Sequence, residues 1–428
     1  MPAEVIYDEA KVPAYALPDP LTDAAGLAVR SATDWHVRRR PEILDLFARQ
    51  VYGRPPDHPE EMTFLSAGGA EPALGGLARR KQATLLITGN GQTVAVDVLM
   101  YLPSSSRGPV PVFVGLNFYG NHTVQADPGV RLPGSWVPDR PEMGVVEHRA
   151  AEAGRGLAAC RWDVRAIINR GFGLVTAYCG DFDPDWHDGW TNGVHPLFYG
   201  PGQVAPAADE WGTIGAWAWG LSRILDFLET DPEVDSRRVT VMGHSRLGKT
   251  ALWAGARDSR FAAVISNNSG CGGAALFRRC FGETVARINA AFPHWFCQRF
   301  SAYNDHEERL PIDQHQLLAL VAPRPVYVAS ADEDLWADPR GEFLAAWHAT
   351  PVYRLLGHAG LSEPAMPPPQ CPVGGRIGYH LRRGGHDVTA YDWQCWLDFV
   401  ERHLGPSPAA ATTPAADPTS TAPRREGE

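Results

Sequence analysis

The chain has 428 residues, 44% of them hydrophobic and 21% charged, with a formal net charge of −10. That balance is a globular protein's, with length enough for one large domain or two ordinary ones. The negative charge argues against nucleic-acid or anionic-membrane partners, and no run of about 18 apolar residues is present to form a membrane helix.

The first residues, MPAEVIYDEAKVPAYALPDPL, lack a basic stretch followed by an apolar one, so no signal peptide is read there. ATLLITG (83–89) and TVAVDVLMYL (93–102) alternate around Asn90-Gly91 and predict a hairpin. Short continuous apolar runs follow at 110–117, 172–178, 238–243, 261–267 and 324–330, the pattern of parallel strands buried on both faces. Helix-like segments lie at 160–171, 210–230, 246–256, 341–350 and 391–404. Strands alternating with helices predict an α/β fold with a mostly parallel central sheet covered on both sides. The longer irregular stretches, 118–158, 180–209, 268–312 and 351–385, are where a site would be built. From Gly405 the sequence is rich in Pro, Ala and Thr, so one folded domain with an N-terminal arm is expected over 1–404, and a disordered tail over 405–428.

Seven cysteines (160, 179, 271, 280, 297, 371, 395) are scattered without a C-x-x-C spacing, which leaves zinc and redox motifs unsupported. Buried free thiols and one or more disulfides both fit. FDPDWHDGW (182–190) is dense in Asp and His but lacks the spacing of a metal site, and is expected to be a loop beside a cleft. The 14 tryptophans suit a sugar-binding cleft and a large core equally well.

VTVMGHSRLGKTALWAGA (239–256) admits two incompatible interpretations. Gly243 to Thr250 spells G-x-x-x-x-G-K-T, the pattern of a nucleotide-binding P-loop. A P-loop needs an acid at the end of a second strand to hold Mg²⁺, and VYVASADED offers its first Asp two residues past the apolar run. The same letters place Ser245 between a strand and a helix, where a nucleophile elbow would sit. The elbow predicts partners in the order Ser, acid, His. Asp332, Glu333 and Asp334 follow a late strand, and His386 sits in a Gly-rich loop before the last helix. One letter departs: the second glycine of G-x-S-x-G is Leu247, and Gly248 comes one residue later. Context and chain order favour the elbow.

These residue types suit acyl transfer. A serine hydroxyl is a poor nucleophile until an imidazole takes its proton, and an acid fixes that ring's tautomer and steadies the imidazolium. The N–H after the serine, that of Arg246, would point at the developing oxyanion. Arg246 and Lys249 both fall in the first turn of the helix, where a cation costs about 0.3–1 kcal/mol. A ligand anion, a carboxylate side chain or the oxyanion should compensate. The chain holds 39 Lys and Arg together, of which only Lys11, Lys81 and Lys249 are lysines. A lysine beside the nucleophile therefore suggests that a compact ammonium is wanted, with an anionic or polyhydroxylated substrate.

VMGHSRLGKTALWAGA, followed by VISNNSGCGGAALFRRCFGETVARINAAFPHWF and GGHDVTAYDW, resembles the glucuronoyl esterases of carbohydrate esterase family 15, most of all their bacterial branch. The resemblance covers most of residues 80–404. It implies an α/β-hydrolase fold, a three-layer α/β/α sandwich, with no metal or organic cofactor. It implies hydrolysis of esters between 4-O-methyl-glucuronic acid of glucuronoxylan and lignin alcohols. Ser245 would be the nucleophile and His386 the base, with Arg246 helping the oxyanion. Lys249 and Glu283 would meet the sugar, and Trp336 its ring and methoxy group. Many members carry the triad acid where this chain has Asn268, and an amide cannot balance an imidazolium. The later strand must then supply it, and the resemblance points to Asp334, with Asp332 and Glu333 as alternatives. The residues themselves leave the compartment open, and the resemblance implies a secreted or periplasmic protein; a monomer is expected, without nucleic-acid or membrane partners. The runner-up is an acetyl-xylan or other small-acyl esterase on the same fold; a non-catalytic carbohydrate-binding protein is the alternative from another class.

Overall fold

In the computed structural model, residues 4–66 and 68–405 are described. Eleven strands form one sheet: β1 (Glu61–Ser66), β2 (Glu71–Ala73), β3 (Ala78–Gly89), β4 (Gln92–Pro103), β5 (Val110–Asn117), β6 (Gly173–Tyr178), β7 (Val234–His244), β8 (Ala263–Asn267), β9 (Val326–Ala331), β10 (Val373–Gly374) and β11 (Ile377–Arg382). Their order is β1-β3-β4-β6-β5-β7-β8-β9-β11-β10, with β2 also on β3. The hairpin expected around Asn90-Gly91 is β3–β4, antiparallel from Ala78↔Pro103 to Gly89↔Gln92. The six strands from β6 to β11 across the middle run parallel.

Period-two alternation sends neighbouring side chains to opposite faces. On β5, Val112 and Val114 join one core while Phe113 joins the other; on β9, Val326 and Val328 oppose Tyr327 and Ala329. The first face is covered by α1 (Thr213–Thr230), α2 (Arg246–Arg257) and α3 (Pro339–Leu355), and the second by Val164–Asn169 and α4 (Ala390–Leu404). These are the three layers of an α/β-hydrolase sandwich. Among the described residues, no helix is long and apolar enough to cross a membrane.

Several expectations need correction. The stretch 351–385 is not irregular throughout: α3 runs on to Leu355, and β11 is a full parallel strand beside β9. The helix expected over 160–171 breaks at Asp163, whose φ of 21° ends Ala159–Trp162 and whose carboxylate caps Val164–Asn169. Within 268–312 a helix forms at Val285–Ala291. The N-terminal arm carries a continuous helical run over 32–52, which buries Trp35, Phe47 and Tyr52 against the first face. All seven cysteines are free. The expected tail lies outside the described residues apart from Gly405.

The parallel register aligns the carboxyl ends of the strands. Asn117 pairs with Tyr178, His244 with Asn267, Asn267 with Ala329, and Ala331 with Arg382. The chain leaving β7, β8, β9 and β11 therefore emerges along one edge, where open α/β sheets bind ligands.

Candidate active site

Ser245 is the one residue between β7 and α2, with φ 58° and ψ −130°. A non-glycine at such an angle is strained, and the strain is held by its surroundings. Ser245 N–H donates to the Asn267 carbonyl at 2.9 Å. The turn is so tight that a Cβ on Gly243 would lie 1.9 Å from the Leu247 carbonyl oxygen. A Cβ on Gly248 would meet Ser269 Cβ at 3.0 Å. The two close approaches thus fall at Gly243 and Gly248, and Leu247 points into the core, which accounts for the displaced second glycine. Residues 246–249 are already helical, so no loop is left between Gly243 and Lys249 to wrap a phosphate, as a P-loop requires.

His386 and Asp334 meet. His386 Nδ1 lies 2.6 Å from Asp334 Oδ2, and Asn268 Nδ2 donates to the same oxygen at 2.7 Å. Burial pushes the Asp334 carboxyl up, but the bonds from His386 and Asn268 outweigh it and hold the carboxyl below its ordinary value. The neighbouring acids do other work. Asp332 Oδ1 accepts the Gly384 N–H at 2.8 Å, and Glu333 is exposed. The buried His244 ring packs against His386, centroids 4.5 Å apart, and burial keeps it well below the usual histidine range.

The two cations of the first turn have found carboxylates. The Arg246 guanidinium is paired with Asp185, lies within 5.1 Å of the Trp295 ring centre, and leaves Nε buried without a partner. Asp185 is the hub of that side: its Oδ1 also accepts Trp295 Nε1 at 2.7 Å and faces His294 Nε2 at 3.0 Å. Burial would raise this carboxyl, yet Arg246, His294 and Trp295 bring it down to about 2. Lys249 is only 4% exposed, which excludes a solvated surface lysine. Its Nζ donates to the Ser269 carbonyl at 2.5 Å and stands 3.8 Å from Glu283 Oε2. Burial raises the Glu283 carboxyl, opposed first by Lys249 and then by a hydrogen bond from the Trp336 side chain. Trp336 itself is 42% exposed.

One cleft of about 310 Å³ is lined by Ser245, His386, Asp334, Arg246, Lys249, Glu283 and Trp336, together with Asn268, Phe292 and Trp295. Sequence reasoning missed Asp185, His294 and Trp295. The only available signal was FDPDWHDGW, and nothing in its spacing singles out Asp185 as the partner of a residue 61 positions later.

Fold, strained serine and histidine–carboxylate pair together put the molecule in the class of α/β-hydrolase serine esterases. The family model for "Glucuronyl esterase, fungi" matches residues 199–357. Carbohydrate esterase MZ0003, from an unknown prokaryotic organism, is 52% identical over 93% of this chain and 92% of its own. Two solved structures each superpose with a TM-score of 0.88. One is described as a promiscuous family 15 esterase from a marine bacterial metagenome, 52% identical over 94% of this chain and 100% of that one. The other is a glucuronoyl esterase from Solibacter usitatus, 46% identical over 92% of this chain and 100% of that one. The chain belongs to carbohydrate esterase family 15, the glucuronoyl esterases.

Proposed function

We propose that this protein is a serine carboxylesterase that cleaves the ester between (4-O-methyl-)glucuronate of glucuronoxylan and a lignin alcohol. Ser245 Oγ attacks the uronate carboxyl carbon while His386 takes its proton. Asp334 holds the imidazole in one tautomer and favours the imidazolium. The developing oxyanion is met by the Arg246 N–H and by its unpartnered Nε. The alcohol leaves with the proton from His386, and water repeats the sequence on the acyl-enzyme. Lys249, Glu283 and Trp336 hold the sugar, the first two by hydrogen bonds to hydroxyls and the last by its ring face. No metal or organic cofactor enters these steps. A polymer-bound substrate of this kind suits a secreted or periplasmic monomer.

The observation that supports this reading best is the buried Lys249–Glu283 pair in the same cleft as Ser245 and the His386–Asp334 pair. A small acyl group would give such a pair nothing to bind. The promiscuity ascribed to a 52%-identical relative favours a second, broader reading in which acetyl esters are also cleaved.

The test is hydrolysis of benzyl methyl-glucuronate beside an acetyl ester, by wild type and Ser245→Ala. Uronate-ester turnover that the substitution abolishes supports the reading. Turnover of both esters favours the broader reading, turnover of acetyl esters alone overturns the uronate reading in favour of a small-acyl esterase, and turnover of neither sinks all three.

A further inference from the structure

Beneath the cleft lies a carboxylate that the proposed mechanism does not use. Glu342, in the first turn of α3, has no solvent exposure. Its Oε1 accepts the Ser269 N–H at 2.7 Å, the Gly270 N–H at 3.0 Å and the Ser269 hydroxyl at 3.2 Å. Its Oε2 accepts the Ser330 hydroxyl, at the end of β9, at 2.6 Å. All four donors are neutral, and burying an ionised group among neutral partners is costly unless every lone pair is used.

What it grips is the short segment leaving β8. Asn268 and Gly270 both adopt left-handed angles, φ 46° and 57°. The segment's other attachments run to the catalytic side: the Asn268 amide to Asp334 at 2.7 Å, and the Ser269 carbonyl to Lys249 at 2.5 Å. Both N–H groups point down at Glu342, while the side chain and carbonyl point up at two different parts of the cleft.

We propose that Glu342 is a positioning residue for catalysis: by holding the N–H side of residues 269–270 it sets the Asn268 amide on Asp334 and the Ser269 carbonyl on Lys249. This rests on the esterase reading above. It links the proton-transfer side of the cleft to the sugar-binding side through one buried group. The ionisable side chains acting on Glu342 are Asp334, on the loop after β9, and Tyr379 of β11. Asp338, at the lead-in to its own helix, is paired with Arg279. Burial pushes the Glu342 carboxyl up to about 7 against the pull of its donors, so losing even one of them would matter near neutral pH.

The experiment compares wild type, Glu342→Gln and Ser330→Ala on a methyl glucuronate ester and an acetyl ester, taking kcat, KM, the pH–rate profile and the folded fraction. Glu342→Gln is expected to lower kcat about 10²-fold on both esters, the cost of a misplaced catalytic group. Its KM should rise on the uronate ester only, through Lys249. Its acid limb should move to lower pH, because no carboxyl at this position then has to lose a proton before the segment is gripped. Ser330→Ala keeps the carboxylate and removes one donor, so its acid limb should move the opposite way, to higher pH. Losses that follow the folded fraction, with unmoved KM and unmoved limbs, would overturn the proposal. If Glu342→Gln does not fold, Ser330→Ala decides alone: a shifted limb supports the role and an unshifted one overturns it. Absent uronate turnover in wild type would sink the substrate reading, while kcat and the limbs on the acetyl ester would still decide the role of Glu342.

Discussion

Two cations share one helical turn, and the protein treats them differently. Arg246 is in a contact ion pair with Asp185, backed by His294 and Trp295, so its charge is neutralised and its position fixed before any ligand arrives. Lys249 has its counter-charge at 3.8 Å and spends one proton on the Ser269 carbonyl. An ammonium has three protons, so it retains capacity for hydroxyl groups. The fork of Arg246 suits a fixed electrostatic post, and the ammonium of Lys249 suits a ligand contact that forms and breaks. Unfavourable helix-end charges become tolerable when each has its own acid, and the closeness of that acid sets what the cation can still do.

The largest effect should come from breaking the closed pair. Arg246→Met strands Asp185 as a buried anion, which costs about 3–5 kcal/mol of stability in chemical denaturation. It also removes an oxyanion donor, worth about 10²–10³ in kcat. The partner substitution, Asp185→Asn, should expose a pH signature. Asp185 is held down at about 2, below the roughly 3.9 of an unfolded aspartate, so its stabilisation is present above the unfolded value and is lost as pH falls towards 2. Wild type should therefore lose stability more steeply than Asp185→Asn between about pH 4 and pH 2, and parallel acid-unfolding curves would contradict the assignment.

On the open pair the effects should be smaller and selective. Lys249→Met should cost about 10-fold in kcat/KM on a uronate ester, a lost charged hydrogen bond of about 1.5 kcal/mol, with less on an acetyl ester. Glu283→Gln keeps the shape and removes the counter-charge, and should raise KM for the uronate ester by only a few-fold. Equal losses on both esters would take Lys249 and Glu283 out of the sugar site.

The pairs also show what was legible in the sequence. Ser245 and His386 stood out because each follows a distinct local signature at a strand's end; local pattern left three acids open, the resemblance pointed to Asp334, and Asp334 is the one that lies buried at 2.6 Å from His386. Asp185 carried no such mark, since its partner is fixed by tertiary packing. Glu342 has no distinguishing local pattern, because an acid at a helix start is where the helix dipole welcomes one. The misread strand β11 is instructive for a related reason. IGYHLR follows a Pro-rich stretch and carries His380 and Arg382, both buried and both paired with Asp392, at 2.8 and 3.0 Å. A strand that hides its polar groups in an internal network does not announce itself by hydrophobicity.

The acid and base loops are also stitched to each other. Asp332 N–H donates to the Arg382 carbonyl at 2.9 Å, Glu333 N–H to the Gly384 carbonyl at 3.1 Å, and Gly384 N–H returns a bond to Asp332. The loops after β9 and β11, which carry Asp334 and His386, are thus tied to each other by three hydrogen bonds. Warming cannot separate the proton-transfer partners without tearing the edge of the sheet itself. Heat inactivation should therefore coincide with global unfolding, leaving no temperature window in which the molecule stays folded with its acid and base apart.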